Sequence, residues 1–353
     1  MSQGRFWLAP DIHYVAAQDR ILIAGERSVL EVSGAGSRLA GGIAALRSGA
    51  TCDELTSICG PLLAHQLMSR LAESGWLVTE CDEAARSGQF GQVVGWFASK
   101  TSRPLSAMAR LSSARVAIMG VGGLGTQVIE HLAGSGLGQF VLIDGDVVEP
   151  SNLNRQYMFD HGCIGRLKVA VAAERIVARN PAADIKTYPL FLATAADLAT
   201  LDGDAIDVFV NCADRPLGID QTIAGYCARR GLPFVTAGVG LNRGYWGPFL
   251  ITGTTCNWHT FISSLQDALP GIASAVYGSA ACTSSFGPFN SIIGSFLAAD
   301  VVRYCSNIAK PASLGRRMFV DFDAFRVSSF PDESRDPVAA RVAPVDAATK
   351  AQI

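Results

Sequence analysis

The chain has 353 residues, of which 49% are hydrophobic and 17% are charged, and its formal net charge is −2. At roughly 150 residues per domain, this length predicts about two domains with ample material for buried cores. The near-neutral charge argues against polyanion binding as the main function, and the apolar content argues against global disorder. We therefore expect neither a nucleic-acid-binding protein nor an unfolded one.

Membrane insertion and secretion are also not expected. Gly, Pro or charged residues interrupt every apolar stretch before it reaches the roughly 20 residues that cross a bilayer. The first residues lack the basic segment, apolar core and small-residue cleavage site of a secretory signal. The nine cysteines are scattered and form no CxxC pair, which is typical of small buried residues in a cytoplasmic protein.

Residues 1–85 are predicted to form a small winged-helix-like α+β module. Short strands are expected at 6–8, 21–25, 28–32 and 76–79. Between the third and fourth strands, apolar residues recur at helical spacing: Leu39, Ile43, Leu46, Leu55, Ile58, Leu62, Leu63, Leu67 and Leu71. Because the module is not basic, it favours a peptide ligand over DNA, and an exposed strand edge could bind such a peptide by β-augmentation.

After a predicted linker at 86–109, strands and helices alternate through residues 110–330. Strands are expected at 115–119, 140–143, 206–211 and 234–236, with helices at 126–133, at 168–179 and before Arg230. This alternation predicts an α/β domain with a doubly wound, Rossmann-like parallel sheet. Residues 331–353 have no apolar period and are expected to be a mobile tail.

The first strand of this domain leads into a glycine loop. The loop contains Gly120, Gly122, Gly123 and Gly125 and opens a helix, so its backbone N–H groups could approach a phosphate. Asp144 ends the next strand, where it could accept hydrogen bonds from ribose hydroxyls. A close helix–strand crossing is the alternative meaning of the glycines, but the flanking strand, helix and acid favour a nucleotide site.

The residues after Asp144 favour a triphosphate over a dinucleotide. The run from Asp144 to Gln156 is dense in polar groups, and Lys168 stands in the first turn of the following helix. A guanidinium from Arg155 and an ammonium from Lys168 suit a polyphosphate whose charge builds as pyrophosphate leaves. Taken by itself, each residue has a simpler interpretation: Arg155 could form a surface ion pair, and Lys168 could be an exposed residue at the start of a helix.

These motifs resemble a known family. The strings GVGGLG, IDGDVVEPSNLNRQ, GRLK and NCAD resemble the ThiF/MoeB/ubiquitin-activating superfamily of ATP-dependent adenylating enzymes over residues 110 to about 327. Within it, the chain is most similar to the peptide-adenylating enzymes of the microcin C type, on the N-terminal module and on residues 247–249, 286–290 and 298–302. Such enzymes attack the α-phosphate of ATP with a substrate carboxylate and release pyrophosphate.

The resemblance assigns a role to each matching position. It implies that Gly120, Gly122, Gly123 and Gly125 cradle phosphate, that Asp144 and Asp146 bind the nucleotide, with Asp144 on the ribose, and that Asn152, Arg155, Lys168 and Asp214 are catalytic. It also implies that Asp214 holds Mg²⁺; the alternative for this residue is a turn or helix-capping acid.

Three departures from the family concern metal, arginine and thiol positions. Relatives bind zinc through two CxxC pairs, whereas this chain has Cys256 and His259 at the first position and no cysteine after residue 325, so we expect no structural zinc. The arginine that relatives donate across the dimer falls near Gln92, and Arg103 or Arg110 could replace it. Cys282 lies near a thioester-forming position but is expected to be a packed residue.

Together these features predict an enzyme that adenylates a carboxylate of a ribosomally synthesised peptide during antibiotic biosynthesis. The product would carry an attached nucleotide or would result from cyclisation or dehydration. We expect ATP and Mg²⁺ as cofactors, a precursor peptide as partner and a homodimer. Two alternatives remain, a sulfur-carrier adenylyltransferase of the ThiF/MoeB type and a non-catalytic nucleotide-binding scaffold.

Overall fold

The computed structural model describes residues 4–16, 20–26, 28–33, 36–268 and 284–331. The chain divides into two compact units between residues 109 and 110. Residues 332–353, which make up nearly all of the predicted mobile tail, lie outside the described part. Within that part, none of the helices has both the length and the hydropathy that a membrane span requires.

The N-terminal unit contains two small antiparallel sheets and several helices. One sheet pairs β1 (Trp7–Leu8) with β5 (Leu77–Val78), and the other has the order β2 (His13–Ala16), β3 (Arg20–Ala24), β4 (Val29–Ser33). The helices are α1 (Gly36–Ser48), α2 (Cys52–Cys59), α3 (Pro61–Glu73), α4 (Glu83–Ser87) and α5 (Gly91–Ala98), and the boundary between the units falls within α6 (Pro104–Ser113).

Local sequence explains these elements well. Thr51 and Glu54 form a reciprocal capping box that begins α2, with each side chain accepting the other residue's backbone N–H, at 3.2 and 2.8 Å. Most of the apolar residues predicted at helical spacing form one core with the alternating residues Ile21 and Ile23 of β3. Ile58 and Leu62 are exceptions, with 41% and 69% of their surfaces exposed.

The segment 86–109 differs from the linker that its composition suggests. It contains α5 and most of α6, and Ala98 packs into the core of the N-terminal unit. The physical reason is a short helical pattern in which Val94, Phe97 and Ala98 are all buried.

The C-terminal unit is built around one eight-stranded sheet. Its strands are β6 (Arg115–Met119), β7 (Gln139–Ile143), β8 (Asp184–Tyr188), β9 (Val208–Asn211), β10 (Phe234–Val239), β11 (Arg243–Trp246), β12 (Arg317–Asp321) and β13 (Arg326–Phe330). Its helices are α7 (Gly123–Ser135), α8 (Lys168–Arg179), α9 (Ala195–Leu198), α10 (Ile219–Arg230), α11 (Trp258–Ala268) and α12 (Gly287–Ser306).

The order of the sheet is β13-β12-β11-β10-β9-β6-β7-β8. The five strands from β10 to β8 are parallel, and β11, β12 and β13 extend the sheet antiparallel. Alternate residues of β6 serve opposite faces: Ala117 and Met119 join a cluster with α9, α10 and α11, whereas Val116 and Ile118 are fully buried outside that cluster. Helices therefore cover both faces, and the predicted α/β, doubly wound fold class is confirmed, with a small N-terminal unit before it.

A buried carboxylate ties α12 to the segment that precedes β12. Asp300 is fully buried and accepts hydrogen bonds from the backbone N–H groups of Ala312 (2.6 Å) and Ser313 (2.9 Å), from the Ser313 hydroxyl (2.7 Å) and from the Trp246 indole (3.1 Å). Arg303 supplies a compensating positive charge at 3.1 Å. This network fixes the antiparallel half of the sheet against α12.

Candidate functional site

A cavity of about 830 Å³ opens at the carboxyl ends of β6, β7, β9 and β10. It lies where the sheet order reverses between β6 and β9, the position at which open α/β sheets bind ligands. Nine of the ten residues that the sequence singled out line it: Gly120, Gly122, Gly123, Asp144, Asp146, Asn152, Arg155, Lys168 and Asp214. The fold thus brings together positions that span almost a hundred residues of sequence.

The glycine loop places bare backbone against the cavity and against β9. Gly120 has φ +90°, and a Cβ there would lie 2.7 Å from the backbone nitrogen of Ala213. Gly122 precedes the first turn of α7, where no side chain caps the free N–H groups. This helix N-terminus is therefore available to an anion.

Gly125 is the one predicted nucleotide residue that does not line the cavity. A Cβ at this position would overlap the carbonyl oxygen of Gly120. Gly125 therefore allows α7 to pack closely on the loop and on β6, which is a structural role in the site.

Gly125→Ala is expected to destabilise the C-terminal unit by about 3 kcal/mol, because the added methyl group meets rigid backbone on a buried helix face. Urea denaturation would measure the loss as a lower transition midpoint. Gly134→Ala is the matched control: it lies on the same helix with nothing closer than Arg179 at 4.0 Å, and it should leave the midpoint unchanged or raise it. An equally small effect at both positions would contradict the packing role.

Asp144 links the ends of β6 and β7. Its Oδ2 accepts the N–H of Val121 at 2.6 Å, and its Oδ1 accepts the N–H of Asp146 at 2.8 Å. A carboxylate can accept about four hydrogen bonds, so both oxygens keep capacity for hydroxyl donors from a ligand. The acid holds the glycine loop in place and remains able to bind a sugar.

Lys168 and Asp146 form an ion pair on one wall of the cavity. The Lys168 Nζ lies 2.8 Å from Asp146 Oδ2, and the Lys168 N–H donates to the Asp146 carbonyl at 3.0 Å. The Lys168 side chain is only 7% exposed, whereas that of Asp146 is 52% exposed. The ammonium is thus held in one position at the first turn of α8.

Asn152 ends a short 3₁₀ turn, Pro150–Asn152, in the loop after β7, and Arg155 follows three residues later in the same loop. The Arg155 guanidinium donates to the Ser151 carbonyl at 2.7 Å and to Asn154 Oδ1 at 3.0 Å, and it has no carboxylate partner within the described ranges. Asn152 is buried, and its Oδ1 accepts the N–H of Glu149 at 3.0 Å. Arg155 is therefore free to meet an anion, while Asn152 also shapes the turn that carries it.

Asp214 follows β9 and exposes its side chain beside the glycine loop. No hydrogen bond from another described residue reaches its carboxylate. One free carboxylate beside a phosphate-binding loop is the arrangement in which Mg²⁺ is held jointly by protein and phosphate. The residues present therefore fit a Mg²⁺-nucleotide.

Several cavity residues were not singled out from the sequence. Gln156 is 2% exposed, and its Oε1 has no partner among the described residues. Phe191 is 74% exposed and its ring lies close to Gly145. Asp220 lies in the first turn of α10, where burial raises the pKa of its carboxyl although Thr236 and Asn211 donate hydrogen bonds to it. Only Gln156 carried a sequence signal, as the last residue of the polar run.

The candidate replacements for the missing arginine have partners of their own. Arg103 pairs with Glu80 at 2.6 Å, and Arg110 donates to the Ser306 carbonyl at 2.8 Å. In the part of the chain that the structure describes, no three His, Cys, Asp or Glu side chains converge as a metal site would require, and Cys256 is exposed. Cys282 lies outside the described residues.

Comparison with known proteins agrees with the fold. The ThiF family matches residues 100–339. The adenylyltransferase and sulfurtransferase UBA4 of Eremothecium gossypii is 37% identical over 155 residues, which are 44% of this chain and 33% of the relative. The chain therefore spans about a third of that curated relative's length.

Solved structures match over nearly the whole chain. A crystal structure of Escherichia coli MccB with AMPCPP and MccA has a TM-score of 0.76 at 22% identity, covering 95% of this chain and 98% of MccB. The Microcin C7 biosynthetic enzyme MccB in complex with N-formylated MccA has a TM-score of 0.75 at 21% identity, covering 92% and 96%. Because the ThiF family model matches more than half of this chain, the chain belongs to the ThiF family.

Proposed function

We propose that the chain is an ATP-dependent adenylating enzyme that activates a carboxylate of a ribosomally synthesised peptide. The observation that carries this proposal is the single cavity into which the glycine loop, Asp144, Arg155, Lys168 and Asp214 all open. Hydride transfer would need no converging cations, whereas displacement of pyrophosphate develops negative charge that they stabilise.

The nucleotide would bind across the carboxyl ends of β6 and β7. The free N–H groups at the start of α7 would bind phosphate oxygens, and Asp144 would accept hydrogen bonds from the ribose hydroxyls. Asp146 would keep the Lys168 ammonium at the phosphates through its ion pair. The nucleotide is thereby oriented with its phosphate chain toward Arg155 and Lys168.

The reaction forms one bond and breaks another. A substrate carboxylate oxygen attacks the α-phosphorus, the bond from that phosphorus to the β-phosphate oxygen breaks, and pyrophosphate leaves with the negative charge. Arg155 and Lys168 would stabilise this charge, and the Asn152 turn would hold Arg155 in reach. When bound, Mg²⁺ held by Asp214 would draw charge from the reacting phosphates.

The N-terminal unit would recognise the peptide. Its three-stranded sheet exposes the edge strands β2 and β4 and the apolar side chains of Val15, 69% exposed, and Leu22, 38% exposed. An added strand could form main-chain hydrogen bonds along such an edge. MccB, crystallised with MccA, is matched over both units of this chain, which supports a role in peptide-antibiotic biosynthesis. We also propose that the chain is cytoplasmic and forms a homodimer, as the family resemblance implies.

One alternative is favoured by a separate observation. Local identity is higher to UBA4, an adenylyltransferase and sulfurtransferase, at 37% over 155 residues, than to MccB. A protein of the sulfur-carrier class would then replace the peptide as substrate. The N-terminal unit argues against it, because the structure of MccB with MccA matches 95% of this chain and so includes most of that unit.

Pyrophosphate release separates these functions. With ATP and Mg²⁺, the full chain is expected to release pyrophosphate only when the short peptide encoded beside its gene is present, and a mass spectrum of that peptide would show a nucleotidyl gain or a loss of water. Release with a sulfur-carrier protein alone would establish the alternative. ATP binding without release, whatever the substrate, would make the chain a nucleotide-binding scaffold.

A further inference from the structure

The side chain of Asn211 forms hydrogen bonds with the backbone of the residue immediately before Asp214. Asn211 ends β9 and is fully buried. Its Oδ1 accepts the N–H of Ala213 at 3.1 Å, and its Nδ2 donates to the Ala213 carbonyl at 3.1 Å. One carboxamide therefore binds both backbone groups of the residue that precedes Asp214.

Two further elements fix the orientation of that carboxamide. The Asn211 Nδ2 also donates to Asp220 Oδ1 at 2.6 Å, and the Thr236 hydroxyl donates to the same oxygen at 2.6 Å. Asp220 belongs to α10 and Thr236, which is 1% exposed, belongs to β10. Because the Asp220 Oδ1 accepts from the Asn211 Nδ2, it favours the amide orientation in which the Oδ1 of Asn211 faces the N–H of Ala213.

The opposite side of this backbone is held by the glycine loop. The Cys212 N–H donates to the Met119 carbonyl at 2.8 Å, and Gly120 approaches Ala213 so closely that a Cβ would not fit. Residues 212 and 213 are thus confined between the loop and the Asn211 amide. The Asp214 side chain is exposed and receives no hydrogen bond within the described segments. A fixed backbone with a free carboxylate suits a residue that must meet a metal in one geometry.

We propose that Asn211 and Asp220 are positioning residues that hold Asp214 at the glycine loop for Mg²⁺-nucleotide binding. The inference rests on the proposed function, in which Asp214 holds Mg²⁺. Asp220 acts through Asn211 and Ala213, although its side chain also lines the cavity. The competing role for Asp220 is direct contact with the metal.

Calorimetric binding of α,β-methylene ATP, with and without Mg²⁺, tests the proposal without turnover. The measured quantity is the ratio of the two affinities. Asp220→Leu removes the acceptor oxygen and is expected to lower this ratio about 10-fold while leaving the metal-free affinity unchanged. Asp220→Asn keeps an oxygen for Asn211 and Thr236 and should restore the ratio to within about 2-fold of the wild type.

Each other outcome overturns one specific statement. If Asp220→Asn lowers the ratio as much as Asp214→Asn does, Asp220 contacts the metal directly and the positioning role is wrong. If Asp220→Leu lowers metal-free affinity equally, or leaves the ratio unchanged, the contact between Asp220 and Asn211 does not act on Mg²⁺ binding. If the wild-type chain does not bind the analogue at all, the proposed nucleotide function itself fails.

A second variant covers the case in which Asp220→Leu does not fold. Thr236→Val removes one of the two donors to Asp220 Oδ1 with almost no change in shape. We expect it to lower the affinity ratio about 2- to 5-fold, in the same direction, while the chain keeps a cooperative urea transition with a somewhat lower midpoint. A ratio equal to that of the wild type would contradict the positioning role of Asn211 and Asp220.

Discussion

Lys168→Ala is expected to lower the rate of pyrophosphate release by about 10²–10³-fold, the effect of removing one preorganised charge from a transition state. The ammonium is buried and fixed by Asp146, so it needs no rearrangement to meet charge that develops on the leaving phosphates. Because that charge is larger in the transition state than in bound ATP, kcat should fall more than the affinity for ATP. Steady-state kinetics with the peptide substrate would separate the two.

Arg166→Ala provides the matched control for Lys168. Arg166 lies two residues earlier and forms an exposed ion pair with Glu174, away from the residues that line the cavity. Its loss should leave turnover unchanged and alter stability by less than about 1 kcal/mol. If both variants turned over at the wild-type rate, Lys168 would have no catalytic role, and its ion pair with Asp146 would be structural only.

Asp214→Ala is expected to abolish Mg²⁺-dependent pyrophosphate release, a loss of at least about 10³-fold, because metal stabilisation of phosphoryl charge contributes several kcal/mol. The fold should survive, since the side chain is exposed and carries no hydrogen bond from another described residue. A urea transition and the metal-free affinity for α,β-methylene ATP would both remain those of the wild type. An active variant would remove Asp214 from the metal site.

Asp184→Ala controls for the loss of a surface acid. Asp184 begins β8 at the amino ends of the parallel strands and pairs with Arg115 at 2.8 Å, so it lies at the edge of the sheet opposite the cavity. Activity should be retained at every Mg²⁺ concentration. Equal losses at Asp184 and Asp214 would point to a general effect of charge.

The site was predictable because its motifs are local in sequence. The buried strand before Gly120 and the strand that leads to Asp144 follow directly from the sequence, and parallel strands bring their carboxyl ends to one edge. Lys168 was predicted from its charge next to the polar run, and Asp214 from the family resemblance. The sequence did not predict that three of the glycines line the cavity whereas Gly125 has a packing role. The role of Gly125 becomes visible only in the structure, where α7 packs against the carbonyl oxygen of Gly120.

Other features depend on partners distant in sequence. Strand β11 pairs with β12 across more than 70 residues, whereas β12 and β13 form a local hairpin, and no local pattern shows that these strands extend the same sheet. The segment before α5 is polar, so the whole stretch was predicted as a linker, although the short apolar pattern of α5 buries Ala98 in the N-terminal core. Asp220 resembled an ordinary first-turn acid, because its contacts with Asn211 and Thr236 exist only once three elements meet.

The ion pair between Lys168 and Asp146 has a consequence for selectivity. An ammonium whose charge is already matched offers a lone inorganic anion little net attraction, and Asp146 would repel it. A ligand whose sugar also donates hydrogen bonds to Asp144 gains a contact that such an anion lacks. Lys168 is therefore expected to add little to the binding of free phosphate, whereas Arg155 and the start of α7 remain open to such an anion.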